Sequence, residues 1–93
     1  MHVEATRTFI RLYQALPSDL QERVKKTLLL LQQDPTRPSL RHRKMAGQDD
    51  IYELSVSMHY RITYQRIGET AYLRKVGTHD ILRHPSTPWP KLM

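Results

Sequence analysis

An α+β fold is predicted for this 93-residue chain, with an N-terminal helical hairpin packed on a small antiparallel sheet. Two observations carry that reading. Apolar residues recur at helical spacing in the first third of the chain and at every second position from Ile51 onward. Prolines and a short Gly-containing turn punctuate the change, and there is no repeat, low-complexity tract or linker. One domain over 1–93 is therefore expected, with a thin core and modest stability.

The elements follow in order. Val3 to Thr6 reads as a short first strand. Phe9, Leu12, Tyr13 and Leu16 share one face of a first helix that ends at Pro17. Ser18 with Gln21 three residues later forms a capping-box pattern and opens a second helix. Leu20, Val24, Leu28 and Leu31 line that helix, which stops at Asp34-Pro35 because a proline disfavours helical geometry in the residue before it. So short a connection makes the two helices an antiparallel hairpin.

Tyr52, Leu54 and Val56 then alternate with Glu53 and Ser55, and Tyr60, Ile62 and Tyr64 with Arg61, Thr63 and Gln65. After Ile67-Gly68-Glu69, residues Ala71 to Val76 make a third strand of mixed pattern. One face of such a sheet is expected on the helices and the other open, with Arg61, Thr63 and Gln65 on the open side. The tail at about 84–93 holds Pro85, Pro88 and Pro90 and is expected to be irregular, with Trp89 docking on the body.

Composition narrows the chemistry. Fifteen Lys and Arg against nine Asp and Glu give a formal charge of +6, and ten of the fifteen cations are arginine. The planar arginine fork suits phosphate, so nucleic acid or an acidic protein segment is the favoured partner. The absence of cysteine excludes disulfides, thiolate zinc sites and cysteine nucleophiles. No metal is expected, because the five histidines lack HxH or HExxH spacing and the acids are scattered. The N-terminus lacks a signal-like apolar run, and the longest apolar stretch, Leu28 to Leu31, is far short of a membrane span. A cytoplasmic protein without membrane contact is the expectation.

Three features bear on function. Arg37, Arg41, Arg43 and Lys44 lie in one acid-free segment and are candidate RNA contacts, with Arg74 as a further one. The alternatives are a solvated loop or a patch covered by an acidic partner. Arg61, on a polar strand face, can stabilise charge developing on a phosphate oxygen; its alternative is an ion pair with Glu53. His79, where the chain leaves the last strand, and His59, in the turn before Arg61, are candidate proton carriers or structural residues.

Taken in order, Phe9 through Pro17, the Leu28–Pro35 helix end, Ile51-Tyr52-Glu53-Leu54, Tyr60-Arg61-Ile62-Thr63-Tyr64 and Val76-Gly77-Thr78-His79 resemble the RelE/ParE superfamily of bacterial type II toxins. The likeness runs from about Val3 to Leu82. It implies a helical hairpin on a curved antiparallel sheet and an antitoxin partner. RelE-like members are cofactor-free ribonucleases that cut mRNA, usually on the ribosome, by activating the 2′-hydroxyl of the RNA itself. Arg61 then matches the phosphate-stabilising arginine, and His79 the histidine that serves as acid or base in the YafQ-like branch. Arg41, Arg43 and Lys44 correspond to RNA- and ribosome-contacting positions. Ser55 stands where the YafQ-like branch has a histidine. ParE-like members share the fold but inhibit DNA gyrase without those residues, so a gyrase inhibitor or an inactive antitoxin-binding relative is the alternative.

Overall fold

The computed structural model describes residues 1–45, 47, 50–78 and 81. Strand β1 (His2–Ala5) comes first, then helices α1 (Arg7–Gln14) and α2 (Ser18–Gln33), a single 3₁₀ turn over Pro38–Leu40, and strands β2 (Arg43–Lys44), β3 (Ile51–Ser55), β4 (Tyr60–Ile67) and β5 (Thr70–Thr78). The described part of the sheet runs in the order β1-β5-β4-β3-β2. His79 and the tail at about 84–93, with Trp89, lie outside the described residues.

The expected helices and strands form, with two corrections to the architecture. A strand precedes the two helices, so they do not open the domain. The sheet is also mixed, because β1 pairs parallel to β5 while the β2 to β5 meander is antiparallel. Alternation reports which face a residue takes, but it carries no information on which neighbour a strand meets or in which direction. The direction of β1 is set by α1 and α2, which carry the chain across the sheet before the meander walks back.

The core lies between the helices and one sheet face. Phe9 of α1 and Val24 and Leu31 of α2 are buried with Leu54, Ile62, Tyr64, Leu73 and Val76. Leu12, Tyr13, Leu16 and Leu28 pack against this cluster, as their spacing predicts.

Thr6 ties α1 to the far strand of the meander. Its hydroxyl accepts from the Phe9 N–H at 3.2 Å, capping the helix, and donates to the Leu73 carbonyl at 2.8 Å. Its own N–H reaches the same carbonyl at 3.2 Å. The capping box expected at α2 does not form. Pro17 is the N-cap residue and provides no side-chain cap. Gln21 instead donates to the Tyr13 carbonyl at 3.0 Å, using its amide to close the end of α1 against α2.

β5 contains an irregularity that its mixed pattern foreshadows. Thr63 pairs with Lys75 but Tyr64 with Leu73, leaving Arg74 as an extra residue at a bulge. The core positions Val76 and Leu73 are consequently three residues apart rather than two.

Because Thr6 both caps a helix and bonds across to β5, Thr6→Ala is expected to lower stability by about 1–2 kcal/mol. Thr6→Ser keeps the hydroxyl and most of that stability. Urea denaturation of the three proteins checks this, and an unchanged midpoint in Thr6→Ala would remove the tie from the account.

Candidate nucleic-acid interface

The basic segment begins where α2 ends at Asp34, whose N–H closes on the Leu30 carbonyl at 2.7 Å. The 3₁₀ turn then drives Leu40 into the core, and Arg37, Arg41, Arg43 and Lys44 are all exposed. Arg41 takes a left-handed backbone conformation, φ 47° and ψ 46°, while its N–H bonds the Pro38 carbonyl at 3.0 Å. For a non-glycine residue that conformation costs about 1–2 kcal/mol and persists only when the surroundings impose it.

What imposes it is on both sides of Arg41: Leu40 is a buried peg, and His42 is bonded at both ring nitrogens. Nδ1 of His42 meets the Pro35 carbonyl at 3.2 Å and Nε2 meets the Tyr64 hydroxyl. A carbonyl only accepts, so Nδ1 carries the proton, and Nε2 accepts from the phenol. The rings of His42, Tyr52 and Tyr64 form a cluster with centroids 5.1–5.4 Å apart, the two tyrosines stacked. His42 lies within the basic segment, and sequence reasoning missed this role. The available signal was the pair of core-face tyrosines, since a buried phenol nearly always finds a hydrogen-bond partner.

Burial pushes the Tyr64 hydroxyl well above the ordinary tyrosine range; the neighbouring Tyr52 adds to the rise and Arg66 opposes it. The folded protein thus holds this proton more tightly than the unfolded chain. The associated stability is present below the unfolded value near pH 10 and is lost as pH rises beyond it. Stability measured by denaturant titration should therefore fall from about pH 10 upward, and the slope should be shallower in Tyr64→Phe. Equal slopes in both proteins would contradict this assignment.

On the opposite sheet face Arg43, Glu53 and Thr63 lie side by side across β2, β3 and β4, and Ser55, Arg61 and Gly77 form the next row across β3, β4 and β5. The Glu53 carboxylate receives Arg43 Nε at 3.2 Å through one oxygen and Arg61 Nε at 3.8 Å through the other. The ion pair weighed as the alternative for Arg61 is thus present. Arg61 Nη1 also donates to the carbonyls of Ser57 at 2.5 Å, Tyr60 at 3.0 Å and Met58 at 3.3 Å. The guanidinium therefore closes the β3–β4 turn. Among the described residues, Arg61 Nη2 has no hydrogen-bond partner.

This face is not open, contrary to the alternation-based expectation. Glu53 is 5% and Thr63 1% exposed, and the Arg61 side chain only 17%. Thr63 is flanked by Glu53 and Lys75 on the neighbouring strands and by Arg61 and Gln65 along its own. Arg74 is a second correction. At 2% exposure it is an interior residue at the bulge, not a surface cation awaiting RNA. Burial pulls its pKa down to about 10, so it remains charged at neutral pH.

His59 is exposed in the β3–β4 turn, next to the carbonyls that hold Arg61. His79 lies outside the described residues. Thr78, the last described residue of β5, pairs with Tyr60 at the start of β4. A Cβ added at Gly77 would come within 2.9 Å of Ile81 Cγ2, so glycine there leaves room for the Ile81 side chain beside the row containing Arg61. Among the described residues no group of three or more His, Asp or Glu is placed to hold a metal ion. No described helix is long and apolar enough to cross a membrane.

The chain matches the E. coli RelBE toxin–antitoxin complex at 25% identity and TM-score 0.66, covering 83% of this chain and 94% of the other. It matches the RelB–RelE complex of Methanococcus jannaschii at 20% identity and TM-score 0.71, covering 85% and 93%. It matches YafQ of E. coli at 13% identity and TM-score 0.70, covering 86% and 94%. No family model matches the sequence, and no curated protein matches it either. The fold is that of the RelE-like toxins.

Arg61→Ala should destabilise the protein by about 2–4 kcal/mol, since it strips charged donors from three carbonyls and one cation from a buried carboxylate. Arg61→Lys should lose less. Thermal unfolding decides it, and an Arg61→Ala protein as stable as wild type would show that the turn does not depend on the guanidinium.

Proposed function

We propose that the chain is the toxin of a type II toxin–antitoxin pair and acts as a metal-independent endoribonuclease on mRNA, on the ribosome. The observation that carries this is the arginine pair gathered on Glu53, beside a turn bearing His59, within a RelE-like fold. Arg61 meets the scissile phosphate through Nη2, which has no hydrogen-bond partner among the described residues, and stabilises the charge that develops on the phosphoryl oxygens. The 2′-hydroxyl of the RNA loses its proton and attacks the adjacent phosphorus. The P–O5′ bond breaks, leaving a 2′,3′-cyclic phosphate and a 5′-hydroxyl that takes up a proton. His79 transfers one of those protons and His59 is the candidate for the other. Arg37, Arg41, Arg43 and Lys44 bind the RNA or ribosomal backbone. Arg74 has no part in this, being buried. The partner that silences the protein is an antitoxin with an acidic segment, whose charge speeds association.

One observation favours the second reading, a non-enzymatic toxin acting by protein contact on DNA gyrase. Three carbonyls and Glu53 already engage Arg61, as they would an arginine whose only duty is structural.

Brief induction followed by mapping of mRNA 5′ ends separates the two. New ends within reading frames are expected for the wild type, with at least a ~100-fold loss in His79→Ala and Arg61→Lys proteins that remain folded at the growth temperature. Growth arrest without new ends, accompanied by DNA-damage signalling, would overturn the ribonuclease assignment.

A further inference from the structure

We infer that His42, through Tyr64, is a positioning residue that locks the cations Arg37, Arg41 and Arg43 into one pre-formed phosphate-binding strip. This rests on the reading of that segment as the RNA contact and adds the part that sets its affinity.

The strip is poorly supported by regular structure. Between the end of α2 and β3 the described chain has one 3₁₀ turn and a two-residue strand. Ordering such a segment costs about 1–2 kcal/mol of backbone entropy per residue, which specific contacts must offset. Beside the backbone pairing of β2 with β3, three side chains hold the strip: Leu40 in the core, Arg43 on Glu53, and His42 between the Pro35 carbonyl and the Tyr64 hydroxyl. His42 is the middle one and, among the described residues, the one whose side chain joins the beginning of the strip at Pro35 to the floor of the sheet at Tyr64.

The geometry divides labour by alternation. Leu40 and His42 face the body, and Arg41 and Arg43 between and after them are exposed. The left-handed backbone at Arg41 is the joint that lets both neighbours turn inward. The Tyr64 hydroxyl is the fixed end, since that side chain is fully buried and stacked on Tyr52. Removing its oxygen leaves ring packing intact but frees the far end of His42. A freed strip would have to be ordered again whenever RNA binds, so the loss appears as affinity rather than as chemistry.

The test uses the full chain and a fluorescein-labelled single-stranded RNA of 20 nucleotides whose 2′-hydroxyls are blocked as methyl ethers. Tyr64→Phe and His42→Ala are expected to raise the dissociation constant about 3- to 10-fold, the worth of one hydrogen bond. His42→Gln, which can both donate and accept, restores part of the affinity. Amide hydrogen exchange in residues 37–44 should quicken in Tyr64→Phe while α1 and β5 stay protected, a change that simple loss of core packing would spread over the whole domain. If His42→Ala does not fold, Tyr64→Phe decides. Unchanged exchange in Tyr64→Phe overturns the lock. Faster exchange with unaltered RNA affinity, where Arg41→Ala and Arg43→Ala weaken binding, overturns positioning. A wild-type protein that ignores the oligonucleotide, with exchange still quickened in Tyr64→Phe, overturns the RNA reading and supports the lock.

Discussion

A carboxylate taken out of water in the middle of a sheet constrains everything around it. Glu53 is such a group, and burying its charge is tolerable only with cations and hydrogen bonds at hand. Arg43 comes to it from the edge strand β2 and Arg61 from the central strand β4, one on each oxygen. The same charge therefore fixes the end of the basic segment and the arginine of the candidate site. Arg43 is 74% exposed and contributes little to stability by itself; its pairing matters because it gives a two-residue strand a definite place.

The other sheet face holds the same segment by different means. There His42 reaches Tyr64 in a hydrogen-bonded chain, backed by stacked aromatic rings. Charge on one face and a phenol–imidazole bond on the other grip β2 and its approach from both sides. Cations that bind a polyanion without being ordered first would lose much of their attraction to the cost of ordering. A strip held at Leu40, His42 and Arg43 avoids that cost and leaves Arg37, Arg41 and Lys44 facing outward.

Much of this was legible in the residues. Helical spacing at Phe9, Leu12, Tyr13 and Leu16 and alternation at Leu54, Ile62 and Tyr64 identified the core before any coordinates, because periodicity reports burial directly. The failures share one cause, which is that they depend on contacts distant in sequence. The parallel pairing of β1 is decided by where the chain re-enters the sheet. The Ser18-Gln21 pattern met a competing acceptor on α1, the Tyr13 carbonyl. Arg74 looked like a surface cation because the bulge that carries it inward is invisible to a count of two. Arg61 was assigned the right strand and parity, yet its turn carbonyls come from a loop whose path alternation does not encode. The candidate site was readable as a list of residue types, while the partners that hold them were not.

The central claim is that Arg61 and Arg43, joined through Glu53, form one phosphate-binding unit. Their side-chain Nε–Hε resonances in a proton–nitrogen NMR spectrum report on it directly during titration with a cleavage-resistant single-stranded RNA. The account predicts that both resonances shift along a common saturation curve, and that Glu53→Gln separates the two curves. Binding that shifts Arg43 alone, with Arg61 unmoved at saturation, would contradict it and leave Arg61 as a fastener of the β3–β4 turn.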